Sequence, residues 1–279
     1  MIRLIALDVD GTLLDSQWRV PDANRDAIRR AAARGIEVAL VTGRRFDFAR
    51  PVIEAIDAPL TLIVSGGALV KARDGRTLVR HLLPAAVARE VLDVTRAFRD
   101  ATALVFDRPR AAQVVHECLD RGNPHRLAYY DRNRDFIVQV VPLEDALTEG
   151  DPIQVMFSGA VADMRRLVSR IDAAPVASRC STAVTEYEAR DFALVDVNRA
   201  GCTKGTTLAE WVASRGLDRS EVMAIGDNFN DLEMLRFAGL PVVMGNAVPA
   251  LHQLGWASSG SNDEAGVAQA IERFALGNL

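Results

Sequence analysis

Two aspartates near the start of the chain stand two positions apart, directly after a short apolar run. They are Asp8 and Asp10, followed at once by Gly11, and the apolar run Ile2 to Leu7 has the length of a strand. In an extended chain this spacing places both carboxylates on one side, and Gly11 lets the backbone turn away sharply. Adjacent carboxylates repel each other, and a hard divalent cation such as Mg²⁺ relieves that repulsion. The pair therefore predicts a metal site, although a helix cap or a solvated turn has the same composition.

A second acidic group lies in the last quarter of the chain, in a matching position. Asp227 follows Gly226 and the apolar run Val222 to Ile225, and Asp231 stands four residues later. Gly226 permits a bend at the end of the strand, so Asp227 is placed as Asp8 is, at the end of a neighbouring strand. A third carboxylate would complete a plausible Mg²⁺ shell. The alternative is that residues 228–231 cap the helix that follows.

A hydroxyl and a lysine suggest that this site binds phosphate. Thr42 and Gly43 follow an apolar run, and a hydroxyl with the backbone N–H groups of a strand-to-helix turn can hold phosphate oxygens. Lys204 is one of only two lysines among the 33 basic residues, and it opens a predicted helix. The order Lys204-Gly205 is the reverse of the order in a phosphate-binding P-loop. We therefore predict that Lys204 binds phosphate as a single point charge rather than as part of a P-loop.

Strands and helices alternate in both halves of the chain, as in a parallel sheet covered on both faces. Apolar runs predict strands at 2–7, 36–41, 60–64, 222–225 and 241–244, and the stretches between them predict helices at 21–35, 45–56, 203–215, 232–237 and 264–275. In such a sheet, ligands bind at the carboxyl ends of the strands. Asp8, Thr42 and Asp227 each follow such a strand and so fall at that edge, whereas Lys204 opens the helix after the insertion.

The middle of the chain has a different pattern of apolar and polar residues. Half-polar alternating segments, such as 136–140 and 185–188, lie among the helical stretches 85–98 and 162–171. Alternation is typical of an antiparallel sheet with one packed face and one wet face. The fold class is therefore α/β, with a doubly wound parallel sheet formed by 1–84 and 190–279 and an inserted α+β domain at 85–189.

Composition excludes several classes of protein. The chain has 279 residues, 49% of them hydrophobic, a formal net charge of −4 and three widely spaced cysteines. A weakly acidic chain does not suit nucleic-acid binding, and the cysteine spacing signals neither a zinc ribbon nor a disulfide framework. No apolar stretch approaches the ~18 residues of a membrane span, and the N-terminus lacks the features of a signal peptide. We expect a reduced, cytoplasmic protein and, by default, a monomer.

Taken together, these motifs resemble those of the haloacid dehalogenase superfamily of phosphatases. Residues 8–12 are similar to its first motif, Thr42 to its second, Lys204 to its third and residues 226–231 to its fourth. The segments 41–44, 244–247 and 261–268, with the large insertion, resemble the Cof-type branch, subfamily IIB, which carries a C2B cap. The resemblance covers 1–84 and about 190–279, whereas the cap matches only in position, size and coarse character. One departure is Gly66, where relatives usually have Asn, so a side-chain role at that position is in doubt.

The resemblance implies a Mg²⁺-dependent phosphatase of small phosphorylated metabolites, such as sugar or cofactor phosphates. By it, Asp8 attacks phosphorus to form an aspartyl-phosphate, and Asp10 acts as general acid and then as general base. Mg²⁺ would be held by Asp8, by the backbone carbonyl of Asp10 and by Asp227. The resemblance also implies that Thr42 and Asn230 contact the phosphate. Asp231 would orient Lys204 or a metal-bound water.

Two alternatives stay open. A phosphomutase or phosphotransferase of the same superfamily would return the phosphoryl group to a substrate rather than to water. A phospho-receiver-like regulatory module also combines acidic residues, a threonine and a lysine around Mg²⁺, but it would lack both the insertion and an acid/base at Asp10.

Overall fold

The computed structural model describes residues 1–118 and 124–277. The strands within those residues, in chain order, are β1 (Leu4–Leu7), β2 (Glu37–Val41), β3 (Thr61–Val64), β4 (Leu69–Ala72), β5 (Thr77–Arg80), β6 (Thr102–Val105), β7 (Val114–His116), β8 (Ile137–Gln139), β9 (Gln154–Gly159), β10 (Cys180–Tyr187), β11 (Phe192–Arg199), β12 (Val222–Gly226), β13 (Leu240–Val243) and β14 (Ala257–Ser258). They form two sheets.

The α-helices in the same ranges are α1 (Asp22–Ala33), α2 (Phe46–Ala55), α3 (Ala85–Val94), α4 (Pro124–Arg132), α5 (Val161–Asp172), α6 (Lys204–Ser214), α7 (Leu232–Phe237), α8 (Pro249–His252) and α9 (Gly266–Ala270). Among these described helices, none has both the length and the apolar character needed to cross a bilayer.

The chain divides into two compact units, Met1–Arg80 with Thr203–Leu279, and His81–Cys202. The first unit, called the core unit below, contains an eight-stranded sheet of order β14-β13-β12-β1-β2-β3-β4-β5. Its first six strands run parallel, whereas β4 and β5 add an antiparallel edge. Neither edge strand is among those predicted. The α/β class with a doubly wound parallel sheet is confirmed.

The centre of the core unit is covered on both faces, which explains its continuous apolar strands. Leu4 and Ala6 of β1 pack with residues of α6 and α7. The alternating residues Ile5 and Leu7 point to the other face and are fully buried as well. Burial on both faces is what a parallel sheet requires.

The second unit, called the cap unit, contains a six-stranded sheet of order β10-β11-β9-β6-β7-β8. All its pairings are antiparallel except that between β7 and β8. Apolar residues on one face of this sheet, such as Val155 and Val195, pack with residues of α3 and α5. The alternating residues Gln154 and Asp196 are polar, and they hydrogen-bond to each other on the opposite face.

The division of the chain differs from the predicted insertion of 85–189 at both ends. Strand β11 lies in the cap unit rather than in the core, because it pairs along its whole length with β10 and also pairs with β9. Residues 81–84 also fall in the cap unit. Burial alternates along most of Phe192–Arg199, as in an antiparallel strand with one packed face, and apolar and polar residues alternate only from Val195 to Asn198.

Candidate active site

Three adjacent strands of the core unit end at the predicted site. Asp8 follows β1, Thr42 follows β2 and Asp227 follows β12. Strand β1 lies between the other two, with Leu7 paired to Leu40 on one side and to Ile225 on the other. Because the three strands are parallel, their carboxyl ends meet at one edge of the sheet. The backbone N–H of Asp8 donates to the carbonyl of Ile225, 3.0 Å away, which fixes the base of the site.

The turn after β1 carries Asp8 and Asp10 into the site. It is a wide turn over residues 9–13, closed by a hydrogen bond from the Leu14 N–H to the Val9 carbonyl, and Gly11 adopts φ +85°. A Cβ on Gly11 would lie 2.4 Å from Asp227 Oδ2. Only glycine therefore satisfies both the backbone conformation and the close approach of the Asp227 carboxylate.

Lys204 stands at the centre of the site. It begins α6, whose N-terminus is capped by the Thr203 side chain. Its Nζ donates to Asp8 Oδ1 at 2.6 Å and to Asp231 Oδ1 at 2.7 Å, and all three side chains are buried. Burial and the nearby Asp231 raise the pKa of Asp8 well above its ordinary value, against the opposing effect of Lys204. Burial alone would lower the pKa of Lys204, but Asp231 and Asp8 outweigh it and raise that pKa.

Asp231 organises the site through both of its carboxylate oxygens. While Oδ1 accepts from Lys204, Oδ2 accepts from the backbone N–H groups of Asp227 and Asn228, at 3.1 and 3.2 Å. One buried carboxylate thus holds both the lysine and the turn that carries Asp227. Of the two roles considered for Asp231, this geometry favours the orientation of Lys204.

The carboxylates of Asp8, Asp227 and Asp231 can each place an oxygen within 4.8 Å of the others. Thr12 Oγ1 donates to Asp227 Oδ1 at 2.8 Å, and burial together with Asp231 raises the pKa of Asp227 to about 7. Among the described residues, Asp8 Oδ2 and Asp227 Oδ2 accept no hydrogen bond, so each still has an oxygen to offer. Hard carboxylate oxygens in such a cluster suit a divalent cation of the Mg²⁺ type.

The predicted phosphate contacts lie at the same edge with polar groups still available. Thr42 is fully buried, and its hydroxyl oxygen accepts from the Arg44 backbone N–H at 3.1 Å, which leaves the hydroxyl hydrogen to donate. Gly43 follows it and is exposed. Asn230 is half-buried, and its Oδ1 is buried without a hydrogen-bond partner among the described residues.

The structure gives Asp10 a partner that the sequence did not predict. The Arg44 guanidinium donates to both of its carboxylate oxygens, Nε to Oδ2 at 2.9 Å and Nη2 to Oδ1 at 2.6 Å. The guanidinium also lies over the rings of Trp18 and Phe48. Arg44 stands two residues after Thr42 at the end of the same strand. That position is the sequence signal that could have placed Arg44 in the site.

The loop after β3 explains the departure at Gly66. Gly66 adopts φ +66° and ψ +16°, the left-handed region that glycine and asparagine tolerate best. The position therefore needs a residue that accepts this backbone, and glycine meets that need without a side chain. Gly67, next to it, is more tightly confined, since a Cβ there would lie 2.3 Å from the Thr203 carbonyl oxygen.

We expect Gly67→Ala to unfold the core unit at a lower temperature and to lower activity, because Thr203 caps the helix that carries Lys204. Gly35→Ala is the matched control, since Gly35 also has positive φ, at +78°, but has no atom within 4 Å of the added Cβ. Backbone strain alone costs roughly 1 kcal/mol, so Gly67→Ala should lower the melting temperature clearly further. Equal melting temperatures for the two variants would contradict the predicted clash.

Comparison with known proteins assigns this chain to a family. The sequence profile that matches the chain, over residues 5–271, is that of the haloacid dehalogenase-like hydrolases. The chain belongs to this hydrolase family. Among its relatives, the HMP-PP phosphatase of Serratia proteamaculans is 32% identical over 256 residues, which cover 91% of this chain and 88% of that protein.

Solved structures of the family superpose along nearly the whole chain. The phosphatase BT1666 of Bacteroides thetaiotaomicron is 27% identical, with a TM-score of 0.80 over 99% of this chain and 96% of that one. The subclass IIB sugar phosphatase BT4131 has a TM-score of 0.76 at 21% identity, over 98% of this chain and 99% of that one, and thus shows the shared fold. The resemblance inferred from the motifs is confirmed, and the chain is an enzyme of the hydrolase family. Residues 120–126 of the inserted segment are rich in charged residues and fall partly outside the described residues.

Proposed function

We propose that this protein is a Mg²⁺-dependent phosphatase of small phosphorylated metabolites, working through an aspartyl-phosphate on Asp8. The observation that carries the proposal is the buried contact of Lys204 with both Asp8 and Asp231, beside a third carboxylate, Asp227. A buried lysine and a carboxylate cluster at one sheet edge suit the binding of a phosphate dianion together with a divalent cation.

Asp8 is the proposed nucleophile. One of its two carboxylate oxygens forms a bond to phosphorus while the bond from phosphorus to the ester oxygen breaks, and the leaving alcohol departs with a proton from Asp10. Water then attacks the same phosphorus, Asp10 takes a proton from it, and the Asp8 oxygen is released with its electron pair. Two displacements replace one difficult step.

The other polar groups hold the transferring phosphoryl oxygens. Lys204 supplies a fixed positive charge, and the Thr42 hydroxyl, the Gly43 N–H and the Asn230 amide supply hydrogen-bond donors. Charge spreads over those oxygens during transfer, so such donors stabilise the transition state.

Asp8, Asp227 and the backbone carbonyl of Asp10 are the proposed Mg²⁺ ligands. When bound, the ion would offset part of the negative charge that nucleophile and phosphate bring together. Asp231 would support the site through its hydrogen bonds to Lys204 and to the backbone N–H groups of Asp227 and Asn228, rather than as a ligand.

The names of two relatives support the proposed substrate class. One is named an HMP-PP phosphatase and another, similar in fold, a sugar phosphatase. We propose phosphate esters or diphosphates of small metabolites as substrates, acted on in the cytoplasm by a monomer, with neither nucleic acid nor membrane as a partner. Among the described residues the three cysteines form no disulfide, which fits a reduced compartment.

The test is phosphate release from a panel of sugar phosphates, cofactor phosphates and 4-nitrophenyl phosphate, with Mg²⁺ or with EDTA. We expect turnover with Mg²⁺ and its loss, by at least about 100-fold, when the ion is removed. An isomerised sugar phosphate without free phosphate would instead identify a mutase. Stable labelling of the protein without turnover would identify a receiver-like module.

A further inference from the structure

The Asp10 carboxylate is held by both arms of one guanidinium. Arg44 Nε and Nη2 donate to its two oxygens at 2.9 and 2.6 Å. A bidentate pair of this kind fixes the orientation of the carboxylate as well as its position, because both groups are planar. Without this pair the Asp10 side chain would be able to rotate about its side-chain bonds.

Two aromatic rings and two backbone hydrogen bonds hold Arg44 in place. Its guanidinium carbon lies 5.6 Å from the Trp18 ring centre and 4.9 Å from that of Phe48, which are cation–π distances. Its backbone N–H donates to Thr42 Oγ1, and its carbonyl accepts from the Ser65 N–H at 2.9 Å. The side chain is only 11% exposed. A support this rigid can hold a second residue in place.

We propose that Arg44 is a positioning residue for Asp10 and acts on the reaction through it. The inference rests on the proposed function, in which an Asp10 oxygen gives a proton to the leaving oxygen as the bond from phosphorus to that oxygen breaks. In the structure each Asp10 oxygen accepts one hydrogen bond from Arg44 and keeps a second lone pair, at which it can carry the proton. The bidentate contact keeps the carboxyl aimed at the leaving group.

The neighbouring pair of Arg50 and Asp47 shows what an ordinary surface pair looks like in the same region. Arg50 Nη2 donates to Asp47 Oδ1 at 2.8 Å and its guanidinium lies 5.3 Å from the Phe46 ring centre, yet the Arg50 side chain is 51% exposed. Exposed ion pairs of this type contribute little to the stability of the fold. Arg50→Met is therefore a matched control for Arg44→Met.

The experiment compares kcat/KM for phenyl phosphate and 4-nitrophenyl phosphate, two substrates of similar shape that differ in how much the leaving oxygen needs a proton. The value of kcat/KM reports only the steps up to the first irreversible one, so the later attack of water does not enter. A positioned general acid contributes typically ~10²–10⁴-fold. We expect Arg44→Met to lower kcat/KM for phenyl phosphate at least tenfold more than for 4-nitrophenyl phosphate, with Arg50→Met unchanged on both.

A double-mutant cycle then tests whether the effect passes through Asp10. In the Asp10→Asn background, Arg44→Met should change kcat/KM for phenyl phosphate by less than about threefold, because the group it positions is gone. Arg44→Lys should recover only part of the loss, since a lysine cannot make the bidentate contact. The 4-nitrophenyl phosphate activity of each sample reports correctly folded sites.

Equal losses on both substrates, undiminished in the Asp10→Asn background, would overturn the inference and identify Arg44 as a direct phosphate contact. A gain of activity in Arg44→Met would overturn it too, since the pair would then be inhibitory. Failure of the proposed function looks different: wild-type protein would release no phosphate, or Asp10→Asn would leave phenyl phosphate hydrolysis intact.

Discussion

Asp8→Asn is expected to abolish phosphate release, by about 10⁴-fold or more, while the protein stays folded. An amide has no charged oxygen with which to attack phosphorus, and loss of a nucleophile typically costs this much. The substitution is nearly isosteric, and it removes a carboxyl whose pKa burial has raised. Burial disfavours ionised Asp8, and Lys204 keeps Asp231 as its buried partner in this variant, so the melting temperature should be unchanged or higher. Phosphate release and thermal unfolding of the same sample measure both effects.

Asp22→Asn is the control for this variant, because Asp22 lies on the exposed start of α1 and takes no part in the site. It should retain full activity. Acid-quenched samples of wild-type protein incubated with a labelled substrate should carry label, and those of Asp8→Asn should not. Turnover that persists in Asp8→Asn would show that another residue is the nucleophile.

Lys204→Met is expected to remove activity and also to destabilise the core unit. Nζ is the hydrogen-bond partner of two buried carboxylates, Asp8 and Asp231. Removing one member of a buried ion pair costs about 3–5 kcal/mol, since the remaining charge is stranded away from water. That corresponds to a fall of roughly 10 °C in melting temperature, measurable by calorimetry.

The destabilisation should depend on pH. The pKa of Asp8 is raised in the folded protein, so its carboxyl can keep a proton in the fold at a pH where the unfolded chain has lost it. Stability from that proton is present at low pH and is lost as pH rises through the folded pKa. In Lys204→Met, which lacks the lysine that lowers this pKa, the deficit should be smaller at pH 5 than at pH 8.

Two further variants separate the effect of the stranded carboxylates on stability from the effect of losing a buried lysine. Lys204→Met combined with Asp231→Asn removes one stranded carboxylate, so it should recover part of the stability but none of the activity. Lys71→Met is the control for loss of a buried lysine, because Lys71 Nζ donates to Thr77 Oγ1 at 2.6 Å, remote in sequence from the motif residues. Unchanged stability in Lys204→Met at pH 8 would contradict the role assigned to the pair.

The ends of the parallel strands were predictable because each part of the signal is local. An apolar run followed by Asp8, Thr42 or Asp227 predicts both the strand and the residue at its carboxyl end. Parallel pairing then brings those residues together, whatever their separation along the chain. The family followed from the same motifs.

Contacts made by long side chains were not predictable in this way. Nothing in the spacing of Asp10, Trp18 and Arg44 shows that they meet, because their contact depends on the path of two turns and on side-chain rotamers. The two compact units divide the chain at His81 and Thr203 rather than at 85 and 190, and five of the eight residues of Phe192–Arg199 are apolar, as in a core strand. The alternation of burial in this segment distinguishes it only once β9 and β10 are known to be its neighbours.

The long separation of Asp8 from Lys204, 196 residues in sequence, has a consequence for how the chain folds. The strand pair of β1 and β12 is equally non-local, so neither the sheet centre nor the site can form until the last third of the chain has been synthesised. Closing so large a loop is slow, as for any topology of high contact order. Its entropic cost grows only with the logarithm of loop length, by about 0.6 kcal/mol for each doubling. Carrying the whole cap unit inside that loop therefore costs the core only about 1 kcal/mol, a small penalty that leaves this insertion point open to units of very different size.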